Sequence, residues 1–538
     1  MKIAELNFGK YLITEDGIVT EIQNPNKEDE RKTITKLIFP QRIYPTGIIH
    51  NITTENEKLK IDFYKGNKLR TVTVEKNIVA NKNKIVELSN KGVAVNSNNS
   101  SALVDFLSII ENINYFKLPK QFETSQLGWY KNDFLPYSNE IQLCEIGGLN
   151  SQSLKENGDY NKWLESTNTA RKLHKNFRMV LASEFASPLL KIVGTLGAIT
   201  HLWGATGTGK TVALMCGASV WGMPANDDGI IVTFNSTKVG FEILCDYLQN
   251  IPINIDELET SNKNNNDDIV YLITEGKGKI RGKASGGLAS IGKWKLWGIS
   301  TGEHPITTDL SKGGALNRII NLNATNTMLD GVANINEICS VWRNNYGFAG
   351  KIFINYIKTI DKELLIKKYN EYLQQFIQTG GTGKQSMAGA MLMLADELAN
   401  DCIFKDNLKL TINDFKGIIL SETEVSRAER FYEMIFDWIA TNKRHFDGTD
   451  NVDQWGKIDE ANNQVQIIKN VIDTQFFKDV QSKPILTEWL KNKYLNGEKD
   501  NPTKPLRISG ILARVVCVKL RQENIQQLTL INDSDLPF

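Results

Sequence analysis

The chain has 538 residues, 41% of them hydrophobic, enough for roughly three or four packed domains at about 150 residues each. Its 63 Lys and Arg nearly balance 62 Asp and Glu, leaving a net charge of +1 that excludes a chain-wide polybasic surface, so any nucleic-acid contact must come from local patches. Six scattered cysteines (Cys144, Cys216, Cys245, Cys339, Cys402 and Cys517) contain no Cys-x-x-Cys pair, which argues against a disulfide framework or zinc finger and for a reducing interior. With no signal-like start and no run of about 18 apolar residues, the expected location is the cytoplasm, without membrane contact.

Residues 1–95 read as a β-rich domain. Tyr11–Thr14 and Ile18–Ile22 flank Asp16-Gly17, and Leu59–Tyr64 and Leu69–Val74 alternate around Lys65-Gly66-Asn67-Lys68, so two hairpins are predicted. The polar stretch Asn96–Ser101 caps a helix over Ala102–Glu111 and opens an α+β connector at 96–175. A long helix over Phe177–Val193 leads into a core at 176–330, in which strands and helices alternate. Its strands are expected at Ala198–Trp203, Ile230–Phe234, Pro252–Glu257, Trp294–Thr301 and Arg318–Leu322, with a helix at Val239–Gln249. This alternation predicts an α/β fold with a parallel sheet and a ligand at the strand C-termini. A helical lid region follows at 331–447. Residues 448–538 read as a winged-helix-like module, with a hairpin at Gln454–Ile458 and Val465–Lys469 and helices around Ile485–Tyr494 and Ser509–Lys519.

The strongest motif is Gly204-Ala205-Thr206-Gly207-Thr208-Gly209-Lys210-Thr211, with an apolar strand before it and the small apolar run Val212–Ala218 after it. Glycines at these positions let backbone N–H groups wrap a polyphosphate, and the following helix adds its positive end. Lys210 is placed to reach the outer phosphates and Thr211 to ligate Mg²⁺, while Val212 completes the nucleotide-binding set. ATP and Mg²⁺ are therefore the expected ligands. One strand–helix unit later, Ile253-Asn254-Ile255-Asp256-Glu257 ends an apolar strand in two carboxylates. Asp256 suits water-mediated metal binding and Glu257 suits activation of an attacking water, a pairing that favours hydrolysis.

Thr301 ends the next strand, either orienting that water at the sensor-1 position of AAA+ ATPases or acting as a satisfied strand-end hydroxyl. Arg318 precedes the last strand, where AAA+ rings carry an arginine finger that reaches a neighbour's γ-phosphate. Gly380-Gly381-Thr382-Gly383-Lys384-Gln385 imitates a phosphate loop but has Gln378 where the first glycine belongs, Gln385 after the lysine, and no preceding strand. It reads as a loop opening the helix Met387–Asn400, with Lys384 as a sensor-2 cation toward nucleotide. Lys277, Lys279, Arg281 and Lys283 form the densest basic cluster of the core. They are either a hairpin tracking DNA phosphates in a ring's channel, with Trp294 near enough to stack on a base, or a solvated basic loop. Lys443-Arg444-His445 and Lys491-Asn492-Lys493 are weaker candidates, and His50, His174, His201 and His304 lack metal-ligand spacing.

Several segments form an ordered series: Leu127-Gly128-Trp129-Tyr130, Ala218–Gly222, Phe234–Thr237 with Glu242, Tyr271-Leu272, Gly276–Arg281, Ser300–Glu303 and Tyr346–Gly350. In this series the chain resembles an uncharacterised-domain ATPase family of phages, plasmids and genomic islands. Within that family it is most similar to the MCM-like AAA+ replicative helicases of staphylococcal mobile elements. The resemblance covers about 125–460 and departs from the pattern at Glu275-Gly276 and at Lys384-Gln385, the latter bearing on the sensor-2 assignment. It implies a DNA helicase, a ring that is a hexamer, with single-stranded DNA in its channel and primase, polymerase or initiator partners. Two rivals stand beside it: an origin-binding or assembly protein switched by ATP without unwinding, and a small-molecule kinase, for which no acceptor-pocket motif is evident.

Overall fold

The computed structural model describes residues 5–24, 33–144, 151–233, 237–257, 264–282, 287–288, 291–307, 311, 313–332, 334–448, 452–478 and 480–520. The first unit is built from strands β1 (Tyr11–Thr14), β2 (Gly17–Gln23) and β3 (Thr33–Phe39) in one antiparallel sheet. A second sheet joins β4 (Ile43–Asn51), β5 (Glu57–Lys65), β6 (Lys68–Glu75), β7 (Lys120–Thr124) and a later strand, β10 (Ile141–Leu143), in the order β10-β7-β4-β5-β6. Both expected hairpins form, the first closing with Thr14 opposite Gly17 and the second with Lys65 opposite Lys68. Gly17 has φ +138°, and a Cβ there would sit 2.1 Å from the Phe39 carbonyl oxygen, so only glycine fits. Alternation in β5 turns Leu59, Ile61 and Phe63 inward. Helices α1 (Lys76–Val79) and α2 (Ser100–Asn114) follow, and the latter buries Leu103, Phe106, Leu107 and Ile110 at helical spacing in the same core.

After the small hairpin β8 (Gly128–Tyr130) and β9 (Asp133–Leu135), helices α3 (Tyr160–Leu173) and α4 (Lys175–Val193) lead into the second unit. Its centre is a five-stranded sheet of β11 (Ile199–Trp203), β12 (Ile231–Thr233), β13 (Ile253–Asp256), β14 (Gly298–Gly302) and β15 (Ile319–Asn323). The order is β12-β13-β14-β11-β15 and every pairing is parallel. Parallel neighbours need crossovers, and α5 (Lys210–Ala218), α6 (Lys238–Leu248), α7 (Asn264–Glu275) and the short α8 (Gly313–Leu316) lie in the connecting chain. The strand expected at Trp294 starts only at Gly298. The indole N–H of Trp294 donates to the Ile273 carbonyl and the main-chain N–H of Trp297 donates to Ser187 Oγ, while the main-chain N–H groups of Trp294 and Lys295 donate to the Gly276 and Gln249 carbonyls, so this approach is held by scattered bonds and not by a continuous ladder.

Helices α9 (Ile335–Asn344), α10 (Phe348–Ile357), α11 (Lys362–Gln378) and α12 (Gly383–Ala399) share one continuous apolar core with the sheet. Within it, Arg171 of α3 is fully buried and bridges Asp396 at 3.0 Å and Asp406 at 2.8 Å. The imitation phosphate loop is a helix start: the Thr382 side chain caps α12 by accepting from the Gln385 N–H.

A third core gathers α13 (Glu422–Val425), α14 (Arg427–Thr441), α15 (Lys469–Val471) and α16 (Ser482–Lys491) against an antiparallel sheet. That sheet orders β16 (Gly456–Asp459), β17 (Gln464–Ile468), β18 (Thr503–Ile508) and β19 (Ile511–Lys519) as β16-β17-β19-β18. The helix expected at Ser509–Lys519 is β19 instead. Ser509 and Gly510 both have positive φ, which makes a two-residue hairpin turn, and the β-branched run Val515-Val516-Cys517-Val518 then pairs with β17. A helix followed by this hairpin is a winged-helix arrangement. The fold is α/β: a parallel-sheet core that follows a β-rich N-terminal unit and precedes a winged-helix-like C-terminal unit in the chain. Among the described residues no helix is long and apolar enough to cross a membrane.

Candidate nucleotide site and its flanking cations

Strand β11 is buried along four of its five residues and delivers the chain to Gly204 at the C-terminal edge of the sheet. Gly204 has φ +148°, and a Cβ there would meet the Ala324 carbonyl oxygen at 2.5 Å. Gly209 has φ +92° and lies against Leu329, so the loop's glycines answer both conformation and space. Helix α5 then opens at Lys210. The Lys210 ammonium donates to the carbonyls of Gly204 at 2.7 Å and Ala205 at 2.8 Å, while Thr208 Oγ1 donates to Ala205 at 2.9 Å.

Adjacent strand ends bring the expected partners to the same place. Thr301 Oγ1 donates to Asp256 Oδ1 at 2.7 Å and accepts from the Glu257 N–H at 3.0 Å. Thr211 Oγ1 lies 3.5 Å from the same Asp256 oxygen. Glu257 has φ +55°, a left-handed conformation uncommon for a side chain of its size. These groups surround a cavity of about 550 Å³ whose polar wall includes Thr206, Lys210, Thr211, Glu257, Thr301 and Glu303. Leu329 and Ile335 form an apolar wall. Hard oxygen donors beside a cationic glycine loop can hold a metal-chelated polyphosphate and place a water beside a carboxylate.

Three contributors here went unassigned in the sequence. Glu303 Oε1 accepts from Thr206 Oγ1 at 2.8 Å; its signal was a polar residue two places beyond Thr301 at a strand C-terminus. Leu329 and Ile335 arrive from distant chain with no local signature. His201 is buried, with Nδ1 2.9 Å from Ser300 Oγ and Nε2 2.9 Å from the His304 carbonyl oxygen. Burial pushes its pKa down to about 4, so the neutral ring donates to His304 and joins β11 to β14.

Arg318 and Lys384 do not line this cavity. Arg318 precedes β15, whereas the phosphate loop lies beyond the other end of the neighbouring strand, about 16 Å away at 3.3 Å per residue. Its guanidinium donates to the Gly314 carbonyl at 2.7 Å, lies 4.6 Å from the Tyr271 ring centroid, and approaches Glu275 at 3.9 Å. Among the described residues its buried Nε has no hydrogen-bond partner. The Lys384 ammonium is held below its ordinary pKa by burial and by Arg318, against an opposing pull from Glu275. Two cations thus share one carboxylate, a local excess of positive charge.

The basic segment forms an arm between α7 and β14. Lys277 bridges to Lys293 and Gly282 to Leu288, with Gly278 N donating to Gly292 at 2.9 Å. Arg281 makes a bidentate pair with Glu242 of α6 at 2.8 and 2.7 Å, which holds the Glu242 carboxyl below its usual range. A Cβ on Gly278 would collide with the same carboxylate. Lys277, Lys279 and Ile280 are exposed. Lys283 and the Phe234-Asn235-Ser236 part of the resemblance lie outside the described residues.

Beneath the site, Glu184 of α4 is fully buried against Gly217 of α5 and near Asn254 of β13. Burial raises its pKa to about 8, against a smaller lowering by the neighbouring Asn254 amide, and among the described residues neither of its oxygens nor the Asn254 amide atoms makes a close hydrogen bond. A folded pKa raised above the unfolded value means stability that is full below pH about 4.5 and lost as pH rises through 8. Glu184→Gln is therefore expected to flatten a decline of about 3 kcal/mol between pH 5 and 8. Urea midpoints at several pH values check this, and an unchanged slope in the variant would refute it.

Residues 11–292, more than half of the chain, match a family described as a domain of unknown function, DUF927. Residues 426–523 match the Cch helix turn helix domain. No curated protein sequence matches the chain. Among solved structures, one titled "SCCmec type IV Cch - active helicase" is similar with a TM-score of 0.70 at 17% identity, covering 97% of this chain and 99% of that one. Another, titled "The A form apo structure of NrS-1 C terminal region-CTR", reaches a TM-score of 0.34 at 13% identity over 88% of this chain and 95% of that one. The shared architecture extends over nearly the whole chain, and the family match covers the phosphate loop, Asp256-Glu257 and the basic arm: this protein belongs to the DUF927 family.

Proposed function

We propose that this protein is an ATP-hydrolysing DNA helicase that serves replication of a mobile genetic element and works as a ring, of six copies by the resemblance. The carrying observation is the convergence of Thr211, Thr301 and Glu257 on one cavity at the phosphate loop, with Asp256 bonded to Thr301 and 3.5 Å from Thr211. ATP occupies that cavity as substrate, its phosphates cradled by residues 204–211 and reached by Lys210 once its ammonium leaves the loop carbonyls. Mg²⁺ would be held by Thr211 and, through water, by Asp256, and would neutralise phosphate charge. Thr301 holds Asp256 and the Glu257 main chain in place, and Glu257 accepts a proton from the attacking water. Arg318 and Lys384 sit too far from their own loop to touch it, and their excess positive charge suits a neighbouring copy's γ-phosphate. Lys384 is thus a sensor-2 cation acting across the interface, and the active site is completed by assembly.

The exposed lysines of the arm, Lys277 and Lys279, with Lys283 beyond the described residues, contact the DNA backbone. Arg281, the fourth cation of the expected set, is paired with Glu242 while its side chain stays partly exposed. The winged-helix-like unit binds duplex DNA, in keeping with the helix-turn-helix match. Strand displacement on forked duplexes with 3′ or 5′ tails tests the reading. ATP-dependent unwinding of one fork polarity is expected, whereas ATP-stimulated assembly without displacement would favour the switch protein, and DNA-independent phosphorylation of a metabolite the kinase.

A further inference from the structure

Helix α2 ends at Asn114, and the chain turns through residues 115–119 before entering β7. The turn is rigidly held. Asn114, fully buried, donates from its amide to the carbonyls of Asn7 and Ile110 and accepts from the Asn7 N–H, while Lys117 N and Leu118 N both donate to the Asn114 carbonyl. Leu118 is buried and the Pro119 carbonyl is taken by Ile48 N. Between these anchors Phe116 projects into solvent at 96% exposure. Its neighbour Tyr115 meets it edge to face at 5.5 Å and carries the Lys120 ammonium over its own ring at 4.3 Å.

Period two in β7 puts Phe122 on the same face as Lys120, 43% exposed and 6.2 Å from the His50 ring of the adjacent strand. Four aromatic rings and an ammonium group therefore lie along one strip, Phe116, Tyr115, Lys120, Phe122 and His50, with Lys117 next to Phe116 in the chain. Among the described residues neither Lys117 nor Lys120 has a carboxylate within ion-pair distance, and Glu57 is the register partner of His50 at the strip's far end.

We infer that this strip on the N-terminal unit is a binding site for single-stranded DNA, separate from the basic arm of the ATPase core. The rings offer faces on which bases stack without regard to sequence, and the two lysines meet the backbone phosphates. A buried protein contact needs apolar area with few cations at its centre, whereas here an ammonium lies between the rings. Holding a phenyl ring in water on a fixed turn keeps the site formed before its ligand arrives.

Full-length protein without ATP, titrated against a fluorescein-labelled oligo-dT of about 30 nucleotides, gives the affinity by anisotropy. Phe116→Ala is expected to weaken binding about tenfold and Phe116→Trp to restore it. Replacing Lys117 and Lys120 together by alanine is expected to lower the logarithmic salt slope by about 1.4, the value for two single-strand phosphate contacts. An oligo-dT carrying 5-iodouracil should crosslink to the peptide spanning residues 114–120. DNA-free ATP turnover should be untouched in every variant. An affinity unchanged by Phe116→Ala, or no adduct at 114–120, overturns the site. A change in sedimentation in place of DNA binding would assign the strip to contact between copies.

Discussion

Glu257→Gln should leave nucleotide bound and stop its turnover. The substitution preserves size and one hydrogen-bonding oxygen, and it leaves the Glu257 N–H on Thr301 and the Thr301 hydroxyl on Asp256, both main determinants of the local geometry. What it removes is the proton acceptor lining the cavity. General-base contributions of about 10²–10⁴ set the expected fall in kcat for phosphate release, with the Kd for a fluorescent ATP analogue within about threefold of the parent. Unwinding should fall in step with turnover. Residual turnover near the parent's would transfer the base role away from Glu257, and Glu303, the other cavity carboxylate, would be next to examine.

Arg318→Ala should also abolish turnover, by about 10³-fold or more if the guanidinium meets transition-state charge, but its loss should be repairable in mixtures. An Arg318→Ala copy keeps an intact phosphate loop and lacks the donated cation. A Lys210→Ala copy lacks the loop's lysine and keeps the cation. Random pairing around a ring makes roughly a quarter of interfaces complete, so an equal mixture of two inactive proteins should recover roughly a quarter of parental turnover. Misfolding of either variant could not produce such recovery. Arg318 also bonds the Gly314 carbonyl and covers Tyr271, so loss of activity alone would be ambiguous. The mixture separates the two: activity of Arg318→Ala by itself, or silence in the mixture, removes Arg318 from the neighbour's site.

The phosphate loop and the Asp256-Glu257 strand end were legible because their chemistry is local: fixed glycine spacing, and carboxylates that follow an apolar run. Thr301 lies beside Asp256 because the ends of neighbouring parallel strands share one edge. Failures came where structure depends on distant chain. Residues 509–519 mix Leu, Ala and Arg with Val and Ile, and the outcome turned on the Ser509-Gly510 turn and on pairing with Gln464–Ile468, a partner more than 40 residues away. Leu329 and Ile335 enter the cavity through tertiary proximity that no spacing encodes. Arg281 was read as an available cation because its partner Glu242 lies 39 residues upstream on another helix. The proximity of Lys384 to Arg318 has no local signal either, because 66 residues separate them in the chain.

The Arg281–Glu242 clamp makes the basic arm a handle on the catalytic sheet. Helix α6 leads directly into β13, the strand that ends at Asp256, so an arm fastened to α6 cannot be pulled without loading that strand. Force from a moving polymer strand and strain at the metal-side carboxylate would then be two ends of one rigid linkage, closed through a single guanidinium fork. Such a joint is stiff in shear because two parallel bonds resist rotation, yet it can be released whole, since both bonds depend on one side chain. Its exposure to solvent makes that stiffness depend on ionic strength: dilute salt tightens the drive, and concentrated salt lets the handle slip.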